Sequence, residues 1–169
     1  RSLPSSLFPF RLHDRNSLAT MTSRNLADLR APEIPGSLTR DSIIVLPLGA
    51  IEQHGPHLPV NTDFVVADAV ARAAVDTHGD ETGAWLLPTL PFTKSNEHAW
   101  SQGTFWLSAD TLMSVLDDIA RCVAATPARR LLFINGHGGN SALVAMMNRE
   151  IRLKHGLQTF LAHPHMPAD

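Results

Sequence analysis

Two kinds of hydrophobic pattern alternate along the chain. Short unbroken apolar runs are separated by longer segments whose apolar residues recur every three or four positions. Ser42-Ile43-Ile44-Val45-Leu46-Pro47-Leu48-Gly49 is a continuous run rich in β-branched residues and predicts a buried strand. From Thr62 to Val75 the Ala-rich spacing predicts a helix, with Asn61, Thr62 or Asp63 near its N-cap and Gly79 or Gly83 ending the region. Ala84-Trp85-Leu86-Leu87-Pro88 reads as a second strand, weakened by Pro88. Residues 91–107 form a long loop that carries Trp100 and Trp106. Ser108 is placed to cap a helix through Leu112, Val115, Leu116, Ile119 and Val123, closed by Pro127. Leu131 to Asn135 is a third strand and Gly136-His137-Gly138-Gly139-Asn140 a tight glycine loop. A helix over 141–155 with Gly156 as its C-cap leads to a fourth strand at 157–162.

Strands alternating with helices predict an α/β fold with a mainly parallel sheet covered on both faces. In such sheets ligands sit outside the carboxyl ends of the strands. Two loops occupy that position: 49–63 after the first strand and 135–140 after the third.

Composition narrows the class. The chain has 169 residues, 44% hydrophobic and 18% charged, enough to bury a core as one domain and too apolar for a disordered chain. No apolar run approaches the roughly 18–20 residues that span a bilayer, so no membrane partner is expected. Fourteen basic against sixteen acidic residues make no electrostatic case for nucleic acid. The single cysteine, Cys122, cannot form an internal disulfide; it reads as an inert buried thiol in a reducing, cytoplasmic compartment. Residues 1–21, with Ser, Pro and Arg, read as a disordered or non-native leader, and 22–169 as the domain. Nine histidines against two lysines is an unusual balance that calls for a chemical reason.

The first loop holds Glu52, His54 and Asp63, and the second adds His137. Glu52 and His54 are one residue apart, so in extended backbone both point the same way. Asp63 stands at a helix N-terminus, where the loop can fold it back. Carboxylates and imidazoles together suit Zn²⁺ or Mn²⁺ better than copper or iron–sulfur centres. A carboxylate such as Asp63 can bridge two ions, and paired ions activate water. Solvated polar groups or helix caps are the other reading of the same residues. The strand–GHGGN–helix segment also admits a phosphate cradle. It lacks the last glycine of GxGxxG and the Lys-Ser/Thr ending of a P-loop. No GxSxG elbow supports a serine hydrolase.

Pro47-Leu48-Gly49-Ala50-Ile51-Glu52-Gln53-His54-Gly55-Pro56-His57-Leu58-Pro59, then Thr62-Asp63 and Asn135-Gly136-His137-Gly138-Gly139-Asn140, resemble the creatininase family of metal-dependent amidohydrolases. The resemblance runs from about residue 22 to the end. It implies a three-layer α/β/α fold, a homo-oligomer (a hexamer), and two divalent ions, Zn or Mn, held by Glu52, His54, Asp63 and His137 with Asp63 bridging. It implies hydrolysis of a C–N bond in a small-molecule amide or cyclic amide by a metal-activated water, with Glu52 at the reacting centre. Within the family the alternatives are creatininase proper, a formamide deformylase or a mycofactocin-precursor peptidase.

Three departures from the family pattern stand out. Creatininase carries a glutamate two residues after the second-loop histidine, where this chain has Gly139. A later family segment with a histidine and a glutamate has no counterpart before Asp169, so the chain reads as the N-terminal part of a longer domain. A catalytically incomplete metal-binding fragment is therefore the competing reading. Finally, where relatives show E-H-x-x-F-P-G-T, this chain has Glu97-His98-Ala99-Trp100-Ser101-Gln102-Gly103-Thr104. Glu97 and Trp100 then belong either to a substrate-facing loop or to a loop packing its Trp on the core. His98 is the candidate proton carrier to the leaving nitrogen. His57, Asn135 and Asn140 are expected to orient ligands or pin the loops. His78 and His155 read as helix-end or surface residues, and His163 and His165 as neighbours of the site without a ligand role.

Overall fold

A computed structural model describes residues 23–164. The leader expected at 1–21, and His165, lie outside the described residues. β1 (Ile43–Leu48), β2 (Ala84–Leu86), β3 (Arg130–Asn135) and β4 (Gln158–Ala162) form one sheet in the order β2-β1-β3-β4, every pairing parallel. Ahead of β1 lie two 3₁₀ turns and the one-turn helix α1 (Ile34–Ser37), which the apolar pattern does not foreshadow. α2 (Thr62–Thr82) links β1 to β2, α3 (Ala109–Ala124) precedes β3, and α4 (Ser141–His155) links β3 to β4. The expected α/β architecture is the one observed. None of the described helices is long and apolar enough to cross a membrane.

The period of two in the strands sorts the core into two layers. Ile44, Leu46 and Leu48 of β1, with Leu131 and Phe133 of β3, face α3 and α4. There they meet Leu112, Leu116, Ala120 and Val123 of α3 and Val144, Met147 and Ile151 of α4, all buried. Val45 and Ile134 point the other way, onto Ala71 and Val75 of α2 and Ala84 and Leu86 of β2. Buried α2 positions recur every four residues at Ala67, Ala71, Val75 and Gly79, the spacing that keeps one helix face on the sheet.

Of the two glycines offered as stops for α2, the second is used. The helix runs through Gly79, a packing position where a Cβ would lie 3.3 Å from the Ala84 carbonyl oxygen, to Thr82. Gly83, at φ 68°, ends it in the left-handed conformation. Pro88 lies beyond β2, which stops at Leu86. Elsewhere the caps match, with the Ser108 hydroxyl accepting from the Thr111 N–H at 3.2 Å and Gly156, at φ 65°, closing α4. The loop over 91–107 holds one 3₁₀ turn, Asn96–His98.

Cys122 requires a correction. It is exposed, on the flank of α3, where it lines an apolar cavity of about 470 Å³ with Leu26, Ile44, Leu87, Ile119 and Val123. The stripe that α3 buries passes through Leu116, Ala120 and Val123, one helical position away from the thiol. This cavity contains none of the site candidates.

Candidate metal centre

The register places the two informative loops side by side. Leu48 pairs with Asn135 at the last rung of β1 and β3, and the Gly136 N–H donates to the Leu48 carbonyl at 2.9 Å. The next residues, Gly49 and Gly136, are where the start of α2 crosses the sheet edge. A Cβ on Gly49 would lie 2.5 Å from the Phe64 Cα, and one on Gly136 2.8 Å from the Asp63 carbonyl oxygen and 2.9 Å from the Ala67 Cβ. Only glycine permits an approach this close. The first turn of α2 is thereby lowered between the two loops, and Asp63 comes with it.

Asp63 is consequently not a helix cap. Its Oδ1 is 3.0 Å from His54 Nε2 and its Oδ2 2.8 Å from His137 Nδ1, so one carboxylate spans both histidines. Glu52, buried at 5% exposure, brings Oε1 to 3.3 Å from His137 Nδ1. Two sets of donors follow, each within 4.8 Å of one another: Glu52, His54 and Asp63, and Glu52, Glu97 and His137.

The hydrogen bonding fits a divalent ion. His54 Nδ1 faces the Glu52 carbonyl at 3.1 Å and Nε2 faces Asp63. His137 Nε2 faces the Lys94 carbonyl at 2.9 Å, with Ser95 Oγ at 3.2 Å, and Nδ1 faces Asp63. A neutral imidazole has one N–H for these two acceptors. Either the ring is protonated, or a cation lies between the remaining nitrogen and the carboxylate. A ring nitrogen held by a backbone carbonyl is the arrangement that orients a metal-ligating histidine. Glu52 Oε2 is buried with no hydrogen-bond partner, a further free lone pair in the same place.

Charge is concentrated accordingly. Burial pushes the Glu52 carboxyl above its ordinary range, against the pull of His137. Burial alone would lower the His137 imidazole, but the Asp63 hydrogen bond and the charges of Glu52 and Asp63 outweigh it and raise it. For Glu97, burial would raise the carboxyl, yet its own backbone N–H and the Lys94 ammonium, 2.9 Å from Oε2, bring it below the usual value.

Asn135 and Asn140 are both buried and hold the loops together. Asn135 donates from Nδ2 to the His137 carbonyl at 2.8 Å. Asn140 donates to Thr93 Oγ1 at 3.0 Å and accepts from the Lys94 N–H at 3.1 Å, and the Thr93 hydroxyl donates to the Gly49 carbonyl at 2.5 Å. His98 stands at the mouth with Nε2 4.0 Å from Glu52 Oε1. Trp100 is 76% exposed and meets the His98 ring edge-on at 6.4 Å, so the loop does not pack this Trp on the core.

His57 is not brought to the cluster. It is exposed, its ring lies beside Gly55, and no hydrogen bond among the described residues ties it to the carboxylates. His155 is no free surface residue either: its Nε2 is 2.8 Å from Asp117 Oδ1, joining α4 to α3. His163 Nδ1 lies 3.4 Å from Asn135 Nδ2. The phosphate-cradle reading loses ground, because the N–H groups of His137 and Asn140 are used within the loop and the Glu97 carboxylate covers Gly139.

Sequence reasoning missed Gln53, Thr93, Lys94 and Ser95. Gln53 stands between Glu52 and His54, and its Oε1 accepts from the Gly55 N–H at 3.0 Å, which fixes the amide so that Nε2 donates to His98 Nδ1 at 3.1 Å. The scarcity of lysine was the one available signal for Lys94.

Residues 27–168 match the family model for creatininase, creatinine amidohydrolase. A mycofactocin precursor peptide peptidase of Mycobacterium ulcerans (strain Agy99) is 44% identical over 114 residues, 64% of this chain and 45% of that protein. A creatinine amidohydrolase of Pseudomonas putida is 34% identical over 129 residues, 71% of this chain and 48% of that protein. The chain thus spans about half the length of the curated relatives it matches. Among solved structures, a manganese form of creatininase superposes with a TM-score of 0.65 at 29% identity, covering 84% of this chain and 58% of that one. A Zn–Zn form of a mutant creatininase gives 0.65 at 28% identity, over 84% and 58%. With its parallel sheet, its paired loops and a family match over nearly all the described residues, the chain belongs to the creatininase family.

Proposed function

We propose that the protein is a metal-dependent amidohydrolase that cleaves the C–N bond of a small amide or cyclic amide. The observation that carries this reading is the Asp63 carboxylate spanning His54 and His137 at 3.0 and 2.8 Å, beside the buried Glu52. Glu52, His54, Asp63 and His137 would hold two divalent ions, with Asp63 shared. Manganese and Zn–Zn forms of creatininase support either metal. When bound, such ions supply an activated water and a Lewis acid for the amide carbonyl.

The chain's own residues cover the rest of the reaction. Gly55 sets the Gln53 amide, Gln53 donates to His98 Nδ1, and the His98 proton therefore resides on Nε2, the nitrogen that faces Glu52. Once charged by a further proton at Nδ1, which requires the Gln53 amide to release that nitrogen, His98 is placed to give its Nε2 proton to the departing nitrogen as the C–N bond breaks. Trp100, exposed beside it, offers a face for the substrate to lie on.

His54→Ala and Asp63→Ala should each remove bound metal and amide hydrolysis together, checked by metal analysis and a product assay. Either variant with full metal content and full turnover would overturn the assignment. His98→Ala should lower kcat by about 10²–10⁴-fold while metal content stays full.

A further inference from the structure

We propose that Glu97 is a metal ligand, supplying the carboxylate of the His137 metal position from the space where a side chain at position 139 would stand. This rests on the two-ion reading above and adds a ligand to it.

Gly139 lies two residues past His137 in the glycine loop, and its surroundings are occupied from outside. A Cβ built there would fall 1.7 Å from Glu97 Oε1, 2.9 Å from Glu97 Cδ and 2.4 Å from His137 Nε2. The loop over 91–107 has thus pushed a carboxylate into the place where the glycine loop carries no side chain. Glu97 divides its two oxygens. Oε2 takes the Lys94 ammonium at 2.9 Å, which anchors the side chain. Oε1 turns inward, 3.5 Å from His137 Nε2, the nitrogen that also faces the Lys94 carbonyl, so Glu97 reaches an ion at Nδ1 by swinging across the ring edge toward Glu52. One oxygen from Glu97, one from Glu52 and a ring nitrogen of His137 all lie within 4.8 Å of one another.

A second observation points to a ligand here. Glu52, nineteen-twentieths buried, has Oε2 with no hydrogen-bond partner among the described residues. Glu52 also belongs to the neighbouring donor set with His54 and Asp63, so both sets meet at this carboxylate. Without Glu97 the His137 position would have Glu52 and Asp63, the two groups it shares with its neighbour, and His137 as its only private donor. His54 is likewise the neighbour's only private donor, and Glu97 gives the His137 position a fourth group. It arrives from a different loop than the other four, so the 91–107 segment becomes part of the metal centre.

The test is metal stoichiometry, read independently of turnover. The 169-residue chain and its E97A and E97Q variants are loaded with Mn²⁺, freed of excess ion by gel filtration and analysed by plasma mass spectrometry, with circular dichroism confirming the fold. The unaltered chain should hold about two ions and E97A about one. E97Q keeps the length and the acceptor oxygen but not the charge, and should also hold about one. Two ions in E97A or E97Q, with affinity unchanged or merely weakened, would overturn the proposal, since that is what a group that only orients His137 would give. A single ion in the unaltered chain that both variants retain would overturn it equally. No bound ion in the unaltered chain would overturn the metal reading itself, a result distinguishable from failure of the Glu97 assignment alone.

Discussion

At His137 two opposing effects meet on one ring. Burial disfavours its charged form, while Asp63 and Glu52 favour it more strongly, so the metal-free chain keeps the imidazolium to higher pH than a free histidine would. Because the folded value is raised, that proton stabilises the metal-free fold fully below the ordinary imidazole range. The stabilisation is lost as pH rises through the raised value. On the proposed metal reading, ion and proton would compete for the same place between ring and carboxylates. Mn²⁺ affinity should therefore climb as pH rises from about 6 and level off once the raised value is passed. Titration calorimetry at several pH values checks this; an affinity independent of pH would remove His137 from the ligand set.

Between elements, the decisive contact is the start of α2 against the ends of β1 and β3. Gly136→Ala would force a methyl group to within 2.8 Å of the Asp63 carbonyl oxygen and 2.9 Å of the Ala67 Cβ. The helix would have to rise from the sheet edge, at an expected cost of about 1–3 kcal/mol in urea unfolding. Metal affinity should fall as well, because Asp63 moves with the helix. Ser108→Ala is the control: the lost cap of α3 should cost about 1 kcal/mol and leave the metal untouched. An equal loss of metal in both variants would show that general destabilisation, not the position of α2, is responsible.

Over the whole molecule the cluster works as a clasp. Its members come from the β1–α2 loop, the first turn of α2, the 91–107 segment and the loop after β3, which are distant in sequence and joined only by the fold. An ion that binds this arrangement and not the unfolded chain stabilises it by mass action, by about 2.7 kcal/mol at 100 times the dissociation constant. The melting temperature should rise on adding Mn²⁺ and return on adding a chelator. An unchanged melting temperature would mean that the folded chain has no preference for the ion.

What the residues determined alone was the part written in local periodicity and rigid spacing. The continuous runs at 43–48 and 131–135 had to be buried strands, and strand–helix alternation implied the parallel sheet. Glu52 and His54 had to share a side, because extended backbone repeats every two residues. The Glu-Gln-His-Gly-Pro-His string carried the family with it. What tertiary structure decided was everything that depends on two loops meeting. It separated Asp63 as a shared carboxylate from Asp63 as a cap, left His57 outside, exposed Cys122, and enlisted Gln53, Thr93 and Lys94 as supports. Gly139 shows the limit most clearly. In sequence it is a missing side chain; in space it is the opening that Glu97, 42 positions earlier, fills. Spacing cannot reveal such a substitution, because it follows from the volume left between neighbouring loops and not from the order of residues in either.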